Sequence, residues 1–190
     1  MINSFGSTAI AGYSAGMRIE SLSIVPMLAM GNAMSTFTAQ NMGAGKIDRV
    51  KEGYRMCYVI VLTAGAVLCV MYQLAGGAFV SLFLDSGSSE AYSVGLSYVK
   101  FLSFFYSFIG LKASTDGLLR GAGDVTAFTV ANLVNLAIRV SVTNLFAPIY
   151  GIQVAWMAVP LGWAANYVIS FGWYLTGNGR SPRDKEVRYR

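Results

Sequence analysis

The sequence predicts an all-α, polytopic membrane helix bundle with about five transmembrane helices. Hydrophobic residues make up 55% of its 190 residues and charged residues only 12%, whereas soluble domains carry about 25% charged residues. Three stretches contain no charge: Ser21 to Gly45, Met56 to Leu84 and Val140 to Gly179. A helix needs about 20 apolar residues to cross roughly 30 Å of hydrocarbon. Val59 to Leu62 lacks the alternation of apolar and polar residues that a membrane β-barrel requires.

The positions of the charges predict where each helix lies. The first two charge-free stretches each admit one crossing. The longest stretch admits the end of one crossing and a second crossing, because Pro148 and Gly151 interrupt it. The remaining crossing lies between Ala91 and Leu119, where three charges interrupt apolar sequence. We therefore expect helices over residues 9–41, 54–80, 90–119, 124–147 and 152–176, followed by a basic tail over 180–190.

The basic residues predict the orientation of these helices. Ten of the fourteen Lys and Arg residues fall on one side of the membrane if the five crossings are correct. Loops rich in Lys and Arg remain in the cytoplasm. We therefore expect a multi-pass protein of the cell inner (plasma) membrane with a cytoplasmic C-terminus. The net charge of +5 is then a topology signal, and no nucleic-acid partner is expected. The ten residues are Lys46, Arg49, Lys51, Arg55, Arg120, Arg180, Arg183, Lys185, Arg188 and Arg190.

The residue types argue against catalysis and metal binding. The chain has no His, the commonest general acid or base and the commonest metal ligand. Cys57 and Cys69 lie 12 residues apart in one apolar stretch, which fits neither a disulfide framework nor a zinc site. Gly45-Lys46 is followed by Ile47 instead of the Ser or Thr of a phosphate loop. We expect no enzyme activity, no metal site and no cofactor.

Several motifs resemble those of the multidrug and toxic compound extrusion (MATE) family. They are Gly6-Ser7-Thr8-Ala9-Ile10-Ala11-Gly12-Tyr13, Arg18-Ile19-Glu20, Pro26, Gln40-Asn41-Met42-Gly43-Ala44-Gly45 and Leu118-Leu119-Arg120-Gly121-Ala122-Gly123-Asp124. The last motif resembles the family's turn between its tenth and eleventh helices. The family has twelve helices in two six-helix lobes and exports organic compounds against a Na⁺ or H⁺ gradient.

The resemblance implies a role for the chain as a whole. Residues 1–179 look like the second lobe, with a stub of helix seven followed by helices eight to twelve. An odd number of crossings that begins outside the cell, without a signal peptide, predicts further sequence upstream of Met1. The implied function is that of a secondary active multidrug efflux antiporter. Its implied partners are the lipid bilayer, the missing N-terminal lobe of the same transporter and small organic substrates.

Two alternative functions stay open. The first is a lipid-linked oligosaccharide flippase, which shares the broad architecture and would need a larger set of basic cavity residues than Arg139 alone. The second is a non-transporting membrane scaffold. The coupling cation, Na⁺ or H⁺, has no identifiable site in this chain, because Ile109 stands where Na⁺-coupled relatives place a carboxylate.

Polar residues inside the predicted helices are the candidates for substrate or cavity contacts. Arg139 lies 14 residues from Val125, about 21 Å into the membrane at 1.5 Å per residue, where a charge is costly. It belongs to a stripe with 3-4-4 spacing, which is consistent with cavity lining or with hydrogen bonds between helices. Arg18 and Glu20 fall near the outer surface, as interfacial charges or as a gate. The stripe consists of Asn132, Asn135, Arg139 and Thr143.

Two further sets of residues receive structural predictions. Lys112, Asp116 and Arg120 follow i+4 spacing and are expected to form a ladder of ion pairs near the cytoplasmic surface. Four glycines lie at predicted helix ends, where a left-handed residue caps free carbonyl groups. We expect them to be helix caps and not ligand contacts. They are Gly43, Gly45, Gly121 and Gly123.

Overall fold

The structure, a computed structural model, describes residues 7–84, 89–151 and 153–176. This part of the chain forms six α-helices and no strand. The all-helical prediction is confirmed. The basic tail predicted over residues 180–190 lies outside the described residues. The helices are α1 (Ser7–Gly43), α2 (Ile47–Ser81), α3 (Ser89–Ser103), α4 (Tyr106–Gly121), α5 (Val125–Tyr150) and α6 (Gln153–Leu175).

Four of the described helices are long and apolar enough to cross a membrane, namely α1, α2, α5 and α6. Helices α3 and α4 meet at an angle of 53° and make a fifth crossing if the pair is one broken span. The prediction of one continuous helix over 90–119 is therefore wrong. At the break, the Lys100 carbonyl accepts hydrogen bonds from Gln73 Nε2 at 2.8 Å and from Ser103 Oγ at 2.7 Å. Side chains inserted among backbone groups in this way commonly accompany helix kinks.

Helix α2 begins seven residues earlier than the predicted 54–80. Asp48, Arg49 and Lys51 therefore lie on its first turns and not in a loop. An acidic residue in the first turn stabilises a helix by interacting with the positive end of its dipole, and Asp48 is in that position. The connection between α1 and α2 is correspondingly short.

Small residues bring α1 and α4 into close contact. A Cβ atom on Gly31 would lie 2.5 Å from the Ala113 carbonyl oxygen, and one on Gly117 would collide with the Gly31 backbone. Ala113, Gly117 and Gly121 follow one another at four-residue intervals on α4, a spacing that lets membrane helices approach closely. Helix α4 also packs against α2, α5 and α6, and is therefore the central element of the described bundle.

The connections define two ends of the bundle. At one end α1, α4 and α6 finish, and α2 and α5 begin. We call this the basic end, because Lys46, Arg49, Lys51, Arg55 and Arg120 lie at or near it. The opposite end, where α2 and α5 finish and α3 and α6 begin, is called the far end.

Candidate functional site

The four predicted cap glycines divide into two pairs. Gly45 and Gly123 adopt positive φ angles of 72° and 82° and follow the ends of α1 and α4, as a cap requires. Gly43 and Gly121 are instead the last residues of these helices, so the cap prediction is wrong for them. Gly121 serves in helix packing, because a Cβ atom there would lie 2.7 Å from Thr38 Cβ of α1.

A buried ion pair on α4 faces α5 in the half of the bundle nearer the basic end. Lys112 Nζ donates to Asp116 Oδ2 at 2.8 Å, so the first step of the predicted ladder is present. Asn132 of α5 joins both charges: its Oδ1 accepts from Lys112 Nζ at 3.1 Å, and its Nδ2 donates to Asp116 Oδ2 at 3.3 Å. The Lys112 and Asp116 side chains are only 13% and 4% exposed.

Helix α6 completes this group, which sequence reasoning assigned only in part. Ser170 Oγ donates to Asp116 Oδ1 at 2.9 Å, and Asn166 lies beside Ser170, with 3.5 Å between Asn166 Oδ1 and Ser170 Oγ. Both residues are fully buried. We call Lys112, Asp116, Asn132, Asn166 and Ser170 the ion-pair cluster. It links three helices through charge-assisted hydrogen bonds, which are stronger than neutral ones.

The second step of the predicted ladder is wrong. Arg120 forms no ion pair with Asp116, since the described residues contain only the Lys112–Asp116 and Lys51–Asp48 pairs. Its Nη2 donates to Asn32 Oδ1 of α1 at 3.1 Å. Its guanidinium carbon lies 5.1 Å from the centre of the Phe128 ring, within the range of a cation–π contact. Arg120 therefore connects α1, α4 and α5.

The α5 stripe divides between two environments. Asn132 belongs to the ion-pair cluster. The Asn135 and Arg139 side chains instead pack against α6 at Gly162, where an added Cβ atom would lie 2.9 Å from Arg139 Cγ. The Asn135 Oδ1 atom is buried and accepts no hydrogen bond from the described residues. Arg139 is exposed, and Thr143 is half-buried farther along α5.

Glu20 lies in a second polar group, nearer the far end. The Tyr98 hydroxyl of α3 donates a hydrogen bond to Glu20 Oε2. The Tyr98 ring packs edge-on against Tyr13 and Trp156, with centroid distances of 5.4 and 5.6 Å. Arg18 is exposed and, because it is two residues from Glu20, points to a different side of the helix. The predicted candidates Arg18 and Glu20 thus occupy different surroundings.

Sequence reasoning missed a cluster of hydroxyl groups on three helices. Tyr54 and Tyr58 of α2 hydrogen-bond to each other and to Thr115 Oγ1 of α4, at 2.8 and 2.9 Å for the bonds to Thr115. The Tyr58 hydroxyl also donates to the Tyr167 hydroxyl of α6 at 3.3 Å. We call these four residues the tyrosine cluster. The i+4 spacing of the two tyrosines was its only sequence signal.

A polar face on α1 was also missed. Successive residues lie 4, 3, 11, 4 and 4 positions apart, each close to a whole number of helical turns, so they lie on one side of a helix that is long enough to span a membrane. All of them are exposed in the structure. Ser21 and Thr36 donate to carbonyl groups of their own helix, and Asn32 accepts from Arg120. The α1 polar face consists of Ser14, Arg18, Ser21, Asn32, Thr36 and Gln40.

Long apolar helices around buried polar clusters define a polytopic membrane protein. The protein-family model described as MatE matches residues 1–157, which is most of the chain. The chain therefore belongs to the MatE family of multidrug and toxic compound extrusion transporters. The resemblance noted in the sequence is confirmed.

Curated relatives agree with this family and are longer than the chain. It is 28% identical over 182 residues to the probable multidrug resistance protein YpnP of Bacillus subtilis, covering 95% of this chain and 40% of YpnP. It is 24% identical to YoeA of the same organism, also named a probable multidrug resistance protein, covering 91% of this chain and 38% of YoeA. The chain thus spans about two fifths of the length of these relatives.

Two solved structures share the fold. One is an inward-facing multidrug resistance MATE family transporter of the MOP superfamily, with a TM-score of 0.80 and 18% identity over 88% of this chain and 38% of that one. The other is a MATE protein in the bent conformation, with a TM-score of 0.82 and 17% identity over 95% of this chain and 41% of that one. The described helices therefore have the arrangement of part of a MATE transporter.

Proposed function

We propose that this chain is the second lobe of a secondary active multidrug efflux antiporter, which exports small organic compounds in exchange for Na⁺ or H⁺. Family membership and the names of the relatives as probable multidrug resistance proteins support this proposal. The partner that completes the transporter is the N-terminal lobe. The two lobes rock about a central cleft, which opens alternately to the two sides of the membrane.

The α1 polar face is the observation that carries this proposal. Asn32 and Thr36, on an exposed side of span-length α1 and away from both of its ends, would be costly against lipid. The same side chains are well solvated in a water-filled cleft between two lobes. Arg139 of α5 is likewise exposed about 21 Å from the start of its helix at 1.5 Å per residue. We therefore place α1 and α5 along the cleft.

The buried carboxylates suggest how this lobe takes part in ion exchange. The Asp116 carboxylate is already paired with the Lys112 ammonium group in the ion-pair cluster. A coupling cation would have to displace that ammonium group to bind there. Among the described residues, only the Tyr98 hydroxyl donates a hydrogen bond to the Glu20 side chain. We propose that Glu20 is the carboxylate of this lobe that responds to the coupling cation.

A chimeric transporter tests the proposed function. The 182-residue matching stretch of YpnP is replaced by this chain, and ethidium efflux is measured in bacteria that lack their main efflux pumps. We expect efflux from the chimera and none from proteoliposomes that contain the 190-residue chain alone. Efflux by the chain alone would contradict the lobe proposal. A correctly inserted chimera that exports no dye, while intact YpnP does, would contradict the antiporter proposal.

The orientation in the inner membrane is a separate proposal, supported by the concentration of Lys and Arg residues at the basic end. We place that end in the cytoplasm. Cysteine is introduced at Ala44 in the α1–α2 turn or at Tyr150 near the α5–α6 turn, both exposed positions. In intact cells an impermeant thiol reagent should label only the second variant, and labelling of only the first would reverse the orientation. Cys57 is buried and Cys69 half-buried, so background labelling is expected to be low.

A further inference from the structure

A pocket at the basic end, between α2 and α6, has no role in the proposed transport cycle. Its volume is about 270 Å³. Two of its lining residues are basic and four are aromatic. This composition matches a ligand with one anionic group and an apolar body. The pocket is lined by Lys51, Tyr54, Arg55, Tyr58, Phe171 and Tyr174.

The aromatic walls of this pocket are held in place by the interior of the bundle. Tyr54 and Tyr58 are fixed by their hydrogen bonds to Thr115 in the tyrosine cluster. The Tyr54 and Tyr174 rings meet edge-on with a centroid distance of 5.3 Å, and Phe171 lies 6.1 Å from Tyr174. The cavity is therefore largely formed before a ligand arrives, which lowers the entropic cost of binding.

The two cations lie one helical turn apart at the rim of the pocket. Lys51 pairs with Asp48 at 3.0 Å, but these side chains are 61% and 93% exposed. An ion pair so exposed contributes little and exchanges partners easily. Arg55 takes part in no ion pair among the described residues. Its guanidinium group, with five donors in a planar fork, suits the oxygen atoms of a phosphate.

The position of the pocket indicates where its ligand comes from. Helix α2 begins at Ile47 and α6 ends at Leu175, so Lys51, Arg55 and Tyr174 lie within about two turns of the helix ends. This is the level at which phospholipid headgroups meet the hydrocarbon, and at which tyrosine rings are enriched. Basic pockets between membrane helices on the cytoplasmic side recognise anionic headgroups.

We propose that this pocket binds the phosphodiester of an anionic phospholipid from the leaflet at the basic end. Arg55 and Lys51 hold the phosphate oxygens, and the Tyr54 and Tyr174 rings contact the glycerol and the first acyl carbons. A water molecule occupies about 30 Å³ in the liquid. The cavity of about 270 Å³ is therefore large enough for a phosphoglycerol group. Organic cations are repelled by the same two basic residues, so the pocket is distinct from a drug site.

Lipid binding to the purified 190-residue chain tests this proposal without any transport assay. Native mass spectrometry in detergent measures the dissociation constants of dioleoyl phosphatidylglycerol and dioleoyl phosphatidylcholine. We expect one phosphatidylglycerol to bind at least about tenfold more tightly than phosphatidylcholine, as a charge-assisted contact should. The Arg55→Gln substitution should abolish most of this preference, and Lys51→Gln should reduce it by about threefold.

Arg49→Gln is the matched control, because Arg49 is an exposed cation on the same helix that does not line the pocket. It should leave the preference unchanged, and the melting temperatures of all three variants without lipid should match that of the parent chain. An equal loss of preference in Arg49→Gln and Arg55→Gln would show only general charge attraction and would overturn the site. Binding of glycerol 3-phosphate or inorganic phosphate as tightly as the lipid would overturn the assignment to a lipid.

Discussion

Helices α4 and α5 are neighbours along the chain and in space and share the ion-pair cluster through Asn132, yet they differ in how much of their surface lies inside the bundle. Most of α4 is buried, and its charges Lys112 and Asp116 are satisfied within the bundle. Helix α5 buries only Ala127, Ala131 and Ala147, and leaves Arg139 exposed. The difference indicates that α4 holds this lobe together, whereas α5 offers a surface to something outside it.

The largest expected effect is at the contact between α4 and α1. Gly117→Leu places a side chain where even a Cβ atom collides with the Gly31 backbone. We expect this variant to lose more than about 4 kcal/mol of unfolding free energy, enough to prevent a monodisperse protein in detergent. Size-exclusion chromatography and unfolding in SDS measure the loss. Ala137→Leu on the exposed side of α5 is the control, and an equal effect there would contradict the comparison.

The next effect concerns the ion-pair cluster. Asp116→Ala leaves the Lys112 ammonium buried without its counter-ion, which should cost about 3 kcal/mol of unfolding free energy. The double variant Lys112→Met, Asp116→Leu should recover most of this loss, because no buried charge then remains. A double-mutant cycle with the single variants Lys112→Met and Asp116→Leu, measured by SDS unfolding, checks the coupling. If the two single losses simply add, the charges do not act on each other as proposed.

The crossings could be predicted from the sequence because they depend on local composition. Charge-free stretches located four of the five spans, and i+4 spacing predicted the pair of Lys112 and Asp116. The break between α3 and α4 could not be predicted in this way, because Gln73 from another helix contacts it. Likewise, Arg120 bonds to Asn32, which is 88 residues away in sequence.

The missed parts of the candidate site share the same cause. Tyr54, Thr115 and Tyr167 meet only when three helices pack together, and nothing in their spacing along the chain predicts that. The α1 polar face does have a helical period, but Val25 and Ala29 interrupt it on the same side. Its significance depends on knowing that no other described helix covers it.

A smaller effect is expected at the turn that joins α4 to α5. Asp124 Oδ1 accepts from the Ala127 backbone N–H at 3.3 Å, and Asp124 Oδ2 accepts from Trp173 Nε1 at 2.6 Å. Asp124→Ala removes the N-cap of α5 and the hydrogen bond to Trp173 of α6. The two losses together should lower the free energy of unfolding by about 1–2 kcal/mol. Trp173→Phe removes only the hydrogen bond to Asp124 and should lower the free energy of unfolding by less. SDS unfolding compares the two, and a greater loss in Trp173→Phe would mean that ring packing dominates.

The smallest effect on stability, with the largest on transport, is expected at Arg139. The Arg139 side chain is exposed and packs over Gly162 of α6. Because it is exposed, Arg139→Met should change the unfolding free energy by no more than about 0.5 kcal/mol. In the YpnP chimera the same substitution should abolish most ethidium efflux while normal amounts of protein reach the membrane, because a charge facing the cleft is lost. Val140→Met, at the neighbouring exposed position, is the control and should retain efflux. Stable protein with full efflux in Arg139→Met would mean that α5 does not line the cleft, whereas a loss of stability like that of Asp116→Ala would make Arg139 a structural residue.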